Sequence, residues 1–199
     1  MLNRRSILAF CLLLFACAGT IATAADKPDA EARAQRRQAN AAAVLADIGR
    51  AAWVQDGKSV HVAYIFFDPN CPYCHKLYES LRPWVERGDL EARWIPIGTL
   101  MLTSAGKAAA ILEADDRAAA LRENESKFSR ETGTFGGIME ELAPKKETLE
   151  QLATNYALLK RSGDGGVPLM LVKLKDGGVR AVMGAPPQTF LEKLMQDIE

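Results

Sequence analysis

The stretch FFDPNCPYCHKLYESLRPW, residues 66–84, decides the fold of this chain. It places Cys71-Pro72-Tyr73-Cys74-His75 after an apolar run and at the start of a helical pattern. A C-x-x-C pair is typical of a redox-active dithiol, whereas C-x-x-C-H is also a site for covalent haem attachment. Two cysteines and a histidine are, in addition, possible zinc ligands. The rest of the chain has to distinguish these three kinds of site.

Length and composition indicate one globular domain with at most a small appendage. The chain has 199 residues, of which 48% are hydrophobic and 25% are charged. The formal net charge is zero, which argues against a nucleic-acid-binding protein.

The N-terminus has the pattern of an export signal. Arg4-Arg5 precedes an apolar run over residues 7–15, and residues 22–24 (ATA) fit an A-x-A cleavage site. This run is short for a membrane span. We therefore predict a signal peptide over residues 1–24 and a periplasmic mature protein. Twin-arginine export and lipidation at Cys17 are the alternatives.

The cysteine count favours reactivity over structural cross-linking. Of four cysteines, Cys11 and Cys17 lie in the predicted signal, so the mature chain keeps only Cys71 and Cys74. A bridge that closes so short a loop contributes little stability. An exported protein with one close pair also lacks the disulfide framework of a small secreted domain. The pair is therefore predicted to be chemically active.

Residues 25–57 are predicted to be an N-terminal helical segment or linker. The alternatives there are a solvated tail and a helix that pairs two protomers. Apolar residues over 44–52 fit a helical stripe, and Asp56-Gly57 predicts a turn. Residues 58–199 are predicted to form an α/β domain, in which VHVAYIFF (60–67) is a strand buried on both faces.

The remaining elements complete this domain. We predict a helix over 72–87 with a kink at Pro83, a strand over 91–97 and a helical insertion over about 103–161. Within the insertion, one helix is expected to run from Ser104 through residue 124. A second is expected over 146–160, with an inward face formed by Leu149, Leu152, Tyr156 and Leu159. Strands over 169–174 and 179–183 and a helix over 187–198 follow, so a βαβ unit precedes a ββα unit.

The predicted helix start favours a thiolate at Cys71. Unpaired backbone N–H groups and the helix dipole at this end stabilise a negative charge. Cys74 lies about one turn further on, on the same edge of the helix, where it can resolve a mixed disulfide. His75 either lies close to Cys71 and favours its thiolate or is an exposed helix residue. Asp68 either accepts a proton or simply ends the strand.

The haem and zinc hypotheses find less support in the sequence. Haem needs a second axial ligand, and the methionines after the signal are scattered (Met101, Met139, Met170, Met183 and Met195). A structural zinc site needs four ligands, and His61, on a predicted strand, is the only histidine besides His75. We therefore predict neither a metal nor a cofactor.

The segment FFDPNCPYCHKLYESLRPWVERGDLEARWIPIG resembles the catalytic domain of the periplasmic disulfide isomerases DsbG and DsbC. The resemblance continues through SAGKAAAILEA and Val167-Pro168, and covers roughly residues 51–195. It implies a thioredoxin-like fold with an inserted helical subdomain. It also implies that Cys71 is the nucleophile, that Cys74 resolves, and that Pro72 and Tyr73 tune the pair. Val167-Pro168 then corresponds to the substrate-facing loop with the family's cis-proline; a trans proline that starts an edge strand is the alternative.

The resemblance also sets limits on function. Only about 30 residues separate the predicted signal from the first predicted strand, so the dimerisation domain of that family is expected to be missing and a monomer is favoured. We predict an exported thiol–disulfide oxidoreductase that reduces or isomerises disulfides in cysteine-containing exported proteins, with a membrane redox partner. A dithiol oxidase and a non-redox substrate-binding chaperone are the alternatives.

Overall fold

The computed structural model describes residues 26–199, apart from residues 132, 134 and 164. The predicted signal peptide, with Cys11 and Cys17, lies outside the described residues. The strands are β1 (Val54–Asp56), β2 (Val62–Phe67), β3 (Glu91–Pro96), β4 (Leu169–Lys173) and β5 (Val179–Met183). The helices are α1 (Asp26–Ala46), α2 (Pro72–Arg87), α3 (Ser104–Glu113), α4 (Arg117–Ser126), α5 (Lys146–Arg161) and α6 (Gln188–Asp197), with a short 3₁₀ helix at Ile48–Arg50.

One mixed sheet carries the fold, with the strand order β1-β3-β2-β4-β5. β2 and β3 are parallel and are joined by α2, whereas the other neighbouring strands are antiparallel. The predicted βαβ unit is therefore confirmed, and β4, β5 and α6 form the predicted ββα unit. α3, α4 and α5 lie between β3 and β4 along the chain, as expected for the helical insertion.

Helix α2, which contains Cys74, has clear start and stop signals. Pro72 occupies its first turn, where a missing N–H leaves no intrahelical bond unmade. The helix continues through Pro83 to Arg87, and Gly88 ends it with a φ of 77°, a left-handed conformation that glycine adopts at little cost.

Towards its C-terminal end, β2 is buried on both faces, as predicted for the strand over residues 60–67. Along β2, Ile65 and Phe67 pack into a core with α2, α4 and α6, whereas Phe66 packs into a second core with α1 and α5. This alternation follows from the two-residue period of a strand and explains the nearly continuous apolar run. The sheet therefore holds the end of β2, and the loop that follows it, between two packed layers.

Several predicted elements differ from the structure. Residues 54–56 form the edge strand β1, where only a turn was predicted, and Val60 is exposed ahead of β2. The single helix expected from Ser104 is broken between α3 and α4. In α5 the predicted inward residues Leu149 and Tyr156 are 48% and 39% exposed. The buried amide of Asn155, which bonds to Ala52 and to the Pro96 carbonyl, turns a different face of α5 inward.

The N-terminal segment is a helix that is exposed over most of residues 31–39. Its C-terminal end is not a solvated tail, because Ala41, Val44 and Leu45 are buried in the second core. The domain boundary between residues 57 and 58 stays a prediction, although β1 lies before it and belongs to the same sheet. None of the helices over the described residues is long and apolar enough to cross a membrane.

Candidate active site

Cys71 is the N-cap residue of α2, at the point where the chain leaves the sheet. Its backbone N–H donates to the Asp68 carbonyl at 2.9 Å, and its Sγ accepts the backbone N–H of Cys74 at 3.3 Å. The two cysteines are 5% and 1% exposed, respectively. Cys71 is therefore the more accessible residue, and Cys74 lies beneath it.

The surroundings give the two thiols opposite acidities. The hydrogen bond from the Cys74 thiol, helped by the backbone N–H groups of Cys74 and Tyr73, lowers the pKa of Cys71 to about 7. Burial and the negative charge of Asp68 oppose this shift. For Cys74, burial is the largest cause of a pKa raised well above its usual value. Near neutral pH, Cys71 thus supplies a thiolate while Cys74 keeps its proton.

The acidity of Cys71 predicts how its alkylation depends on pH. We expect the rate with iodoacetamide to rise about tenfold per pH unit at low pH and to level off above pH 7, because only the thiolate reacts. Cys74 should stay unmodified in the folded protein. Mass spectrometry of the quenched reaction measures both. A midpoint at about 8.5, as in an unstructured peptide, would contradict the site described above.

The loop before β4 lies against Cys71. The Val167–Pro168 peptide bond is cis, and the Val167 carbonyl oxygen is 3.7 Å from Cys71 Sγ. Within the dipeptide between the cysteines, Pro72 is half-buried and Tyr73 is 64% exposed. The structure therefore brings together Cys71, Cys74 and Val167-Pro168, with Tyr73 on the outer surface.

His75 is not an exposed helix residue, because its ring packs against the helical insertion. Its Nδ1 is 2.9 Å from Glu125 Oε2 on α4, and its ring stacks on Phe128 at a centroid distance of 4.4 Å. The bond to Glu125 is the largest cause of a raised pKa at His75. The imidazole is thus half-buried between α2 and the insertion.

Asp68 joins two loops in addition to ending β2. It is 1% exposed, and its Oδ2 accepts the backbone N–H groups of Thr99 and Leu100 at 3.0 Å each. Its Oδ1 accepts the Asn70 backbone N–H at 3.0 Å and the Ser104 hydroxyl at 2.7 Å. Because the carboxylate already has four donors, we assign it a structural role at the base of the dithiol loop.

Residues 50–199 match the family model of a thioredoxin-like domain. The chain belongs to this family. The thioredoxin-like domain is 32% identical over 149 residues to the thiol:disulfide interchange protein DsbG of Pseudomonas aeruginosa, and 30% identical over 148 residues to that of Escherichia coli. These matches cover 73% and 72% of the chain, but 56% of each relative. The chain therefore spans about half the length of the curated relatives.

Solved structures agree on the fold. A linker-deletion mutant of ScsC from Proteus mirabilis has a TM-score of 0.64 at 21% identity, with 86% of this chain and 87% of that chain covered. A periplasmic thioredoxin-like protein from Salmonella enterica serovar Typhimurium has a TM-score of 0.58 at 21% identity, covering 72% and 88%. The predicted thioredoxin-like fold with its helical insertion is confirmed.

Several residues of the thioredoxin-like domain that support the dithiol were not identified from the sequence. Lys107 Nζ donates to Asn70 Oδ1 at 2.9 Å and to the Gly136 carbonyl at 2.8 Å. Gly136 adopts a φ of 62° and approaches the Pro69 carbonyl too closely for any side chain. From α4, Asn124 donates to the Pro69 carbonyl and Glu125 contacts His75. Their contacts with Pro69, Asn70 and His75 span 37 or more residues, and no local pattern in the sequence marks such pairs.

The arrangement of histidines bears on the zinc hypothesis. His61 precedes β2 at the opposite end of the strand from Cys71, and it lines a cavity with Trp84 and Asp89. Over the described residues, no three His, Cys, Asp or Glu side chains come together as a metal-binding group. The remote fourth ligand that a zinc site required is therefore not brought to the cysteines.

Proposed function

We propose that this chain is an exported thiol–disulfide oxidoreductase that reduces or isomerises disulfides in cysteine-containing exported proteins. The observation that carries the proposal is the pair of unequal thiols. Cys71 is acidic and at the helix start, and Cys74 is buried beneath it with its proton retained. The curated relatives bear the name thiol:disulfide interchange protein, which supports the same chemistry.

The two thiols suit two successive steps. The Cys71 thiolate attacks one sulfur of a substrate disulfide, forms a mixed disulfide and releases the other sulfur as a thiolate. In reduction, Cys74 then gives up its proton and attacks Cys71, so the substrate leaves with two thiols and the pair becomes a disulfide. In isomerisation, a different thiolate of the substrate attacks the substrate sulfur of the mixed disulfide, which forms a new substrate disulfide and releases Cys71 as a thiolate. Reduction therefore needs a donor that returns two electrons, for which we propose a membrane redox partner.

The acidity of Cys71 favours the reducing direction over the oxidising one. A strongly acidic nucleophile stabilises the dithiol state and makes the disulfide a strong oxidant, as at a pKa of about 3.5, whereas thioredoxin has about 7. The pKa of about 7 at Cys71 resembles the latter. Burial and Asp68 both limit the stability of the thiolate, which supports a reductase or isomerase.

The reduction potential tests the direction of electron flow. We expect a value below about −180 mV in equilibrium with glutathione, because the Cys71 thiolate is only modestly stabilised. Acid trapping of free thiols across a series of glutathione ratios measures it. A potential near about −120 mV would instead indicate the oxidase.

A binding role is the second candidate, and one surface favours it. Leu100 and Met101 are 50% and 40% exposed, and Leu102 is fully exposed. The bond between the Leu100 N–H and Asp68 holds this loop beside the dithiol. Exposed apolar loops of this kind suit contact with incompletely folded chains. A variant that lacks the Cys71 thiol separates binding from thiol chemistry, because it keeps this surface and loses the nucleophile.

A further inference from the structure

One buried carboxylate of the helical insertion contacts one side of the dithiol segment directly and reaches the other side through Asn124. Glu125, in α4, has a side chain that is 3% exposed, and its Oε2 lies 2.9 Å from His75 Nδ1. Its Oε1 accepts the side-chain amide of Asn124 at 3.0 Å, and the same amide donates to the Pro69 carbonyl at 3.1 Å. Pro69 precedes Cys71 by two residues and His75 follows it by four.

The geometry around His75 leaves little freedom in this contact. The imidazole lies nearly parallel to the Phe128 ring, at an interplanar angle of 4°. The His75 backbone N–H donates to the Cys71 carbonyl at 3.0 Å, so the ring belongs to the first turn of α2. A buried carboxylate is costly unless it is paired and hydrogen-bonded. Glu125 meets both conditions only while His75 carries a proton.

We propose that Glu125 is a positioning residue for the dithiol, which holds the segment from Pro69 to His75 against α4. We propose further that the protonation of His75 determines the net charge of the His75–Glu125 pair, and that the Cys71 thiolate responds to this charge. The inference rests on the proposed thiol chemistry, and it adds a role for the insertion in that chemistry.

The charged groups around His75, Glu125 and Cys71 determine how the protonation of His75 should act on the Cys71 thiolate. His75 faces Glu125 from α4 and Glu79 from its own helix, and Glu125 also faces Tyr78 on α2. Cys71 faces Cys74 and Asp68. Residues four apart on a helix are neighbours, so Cys71 lies one turn from His75. With His75 protonated, the pair with Glu125 is neutral. Without that proton, the negative charge of Glu125 is uncompensated and opposes the Cys71 thiolate.

His75→Gln, alone and combined with Glu125→Gln, tests the role of these charges against the wild type. His75→Gln keeps a hydrogen-bonding side chain but removes the cation, so the pKa of Cys71 should rise by about half a unit. Adding Glu125→Gln removes the anion as well and should return the Cys71 pKa towards the wild-type value. If the two substitutions acted only by disturbing the structure, their effects on the Cys71 pKa would instead add. Iodoacetamide alkylation of Cys71 against pH measures all three proteins without any disulfide substrate.

The matched control is Glu123→Gln, on the same helix. Glu123 forms an exposed pair with Lys127, so this substitution should leave the alkylation midpoint unchanged. An unchanged midpoint in His75→Gln, or a double variant shifted as far as or further than His75→Gln, would overturn the proposed effect of the His75 and Glu125 charges on Cys71. If the alkylation rate of Cys71 showed no rise due to thiolate formation between about pH 5 and 9, the proposed function itself would be overturned.

A second measurement begins with the unaltered protein. The proton resonances of the His75 ring should titrate with a pKa above 6.5 in the wild type, because of the bond to Glu125. In Glu125→Gln this pKa should fall, because the bond that raises it is lost. A wild-type His75 pKa at or below 6.5 would overturn the proposal even if a variant failed to fold.

Discussion

Replacing Cys71 with serine should lower the rate of insulin reduction by more than about 10³-fold, because a hydroxyl does not replace the attacking thiolate. The substitution changes only sulfur to oxygen, and serine is a favourable N-cap residue, so α2 should still begin at Pro72. Circular dichroism and the thermal midpoint check that the fold is retained. The turbidity assay of reduced insulin, with dithiothreitol as electron donor, measures the loss.

Cys74→Ser is the informative control for this experiment. It keeps the attacking thiolate and loses the group that resolves, so mixed disulfides with substrate proteins should accumulate and be visible on a non-reducing gel. Cys71→Ser should accumulate none. If Cys71→Ser still assisted the refolding of a disulfide-containing protein as well as the wild type, the binding function would be favoured over thiol chemistry.

The dithiol could be predicted from the sequence because its signals are local. An apolar run, a C-x-x-C pair and a proline in the first helical turn follow one another within about 15 residues, and together they indicate a buried strand that leads into a helix start with two cysteines. The same local signals give the bounds of α2 closely. The resemblance to DsbG and DsbC then supplied Val167-Pro168, which lies 96 residues from Cys71. No periodicity in the sequence indicates that approach.

The contacts that escaped prediction are all long-range. β1 is only three residues long, and it becomes a strand because Val54 pairs with Trp94 of β3. The inward face of α5 is determined by Asn155, whose partners lie 59 and 103 residues away. His75 meets Glu125 across 50 residues. In each case tertiary contacts override the local pattern, and a single sequence does not reveal them.

Asp68 matters to the dithiol in two opposite ways. Its carboxylate joins the loop before Cys71 to the loop after β3 through four hydrogen bonds, at 1% exposure. Its negative charge also raises the pKa of Cys71 and of Cys74. The stability of the loops therefore depends on a group that makes both thiols less acidic.

Asp68→Ala should separate these two effects. We expect the free energy of unfolding to fall by about 3–5 kcal/mol, because the Ser104 hydroxyl and three backbone N–H groups lose their acceptor. In the fraction that remains folded, the pKa of Cys71 should fall below about 7, since the opposing charge is gone. Urea denaturation measures the first effect, and alkylation against pH measures the second. Asp115→Ala, at an exposed position between α3 and α4, should change neither.

A loss of stability below about 1 kcal/mol in Asp68→Ala would mean that water replaces the carboxylate. A raised Cys71 pKa would mean that the loop geometry, and not the charge of Asp68, controls the acidity of the thiol.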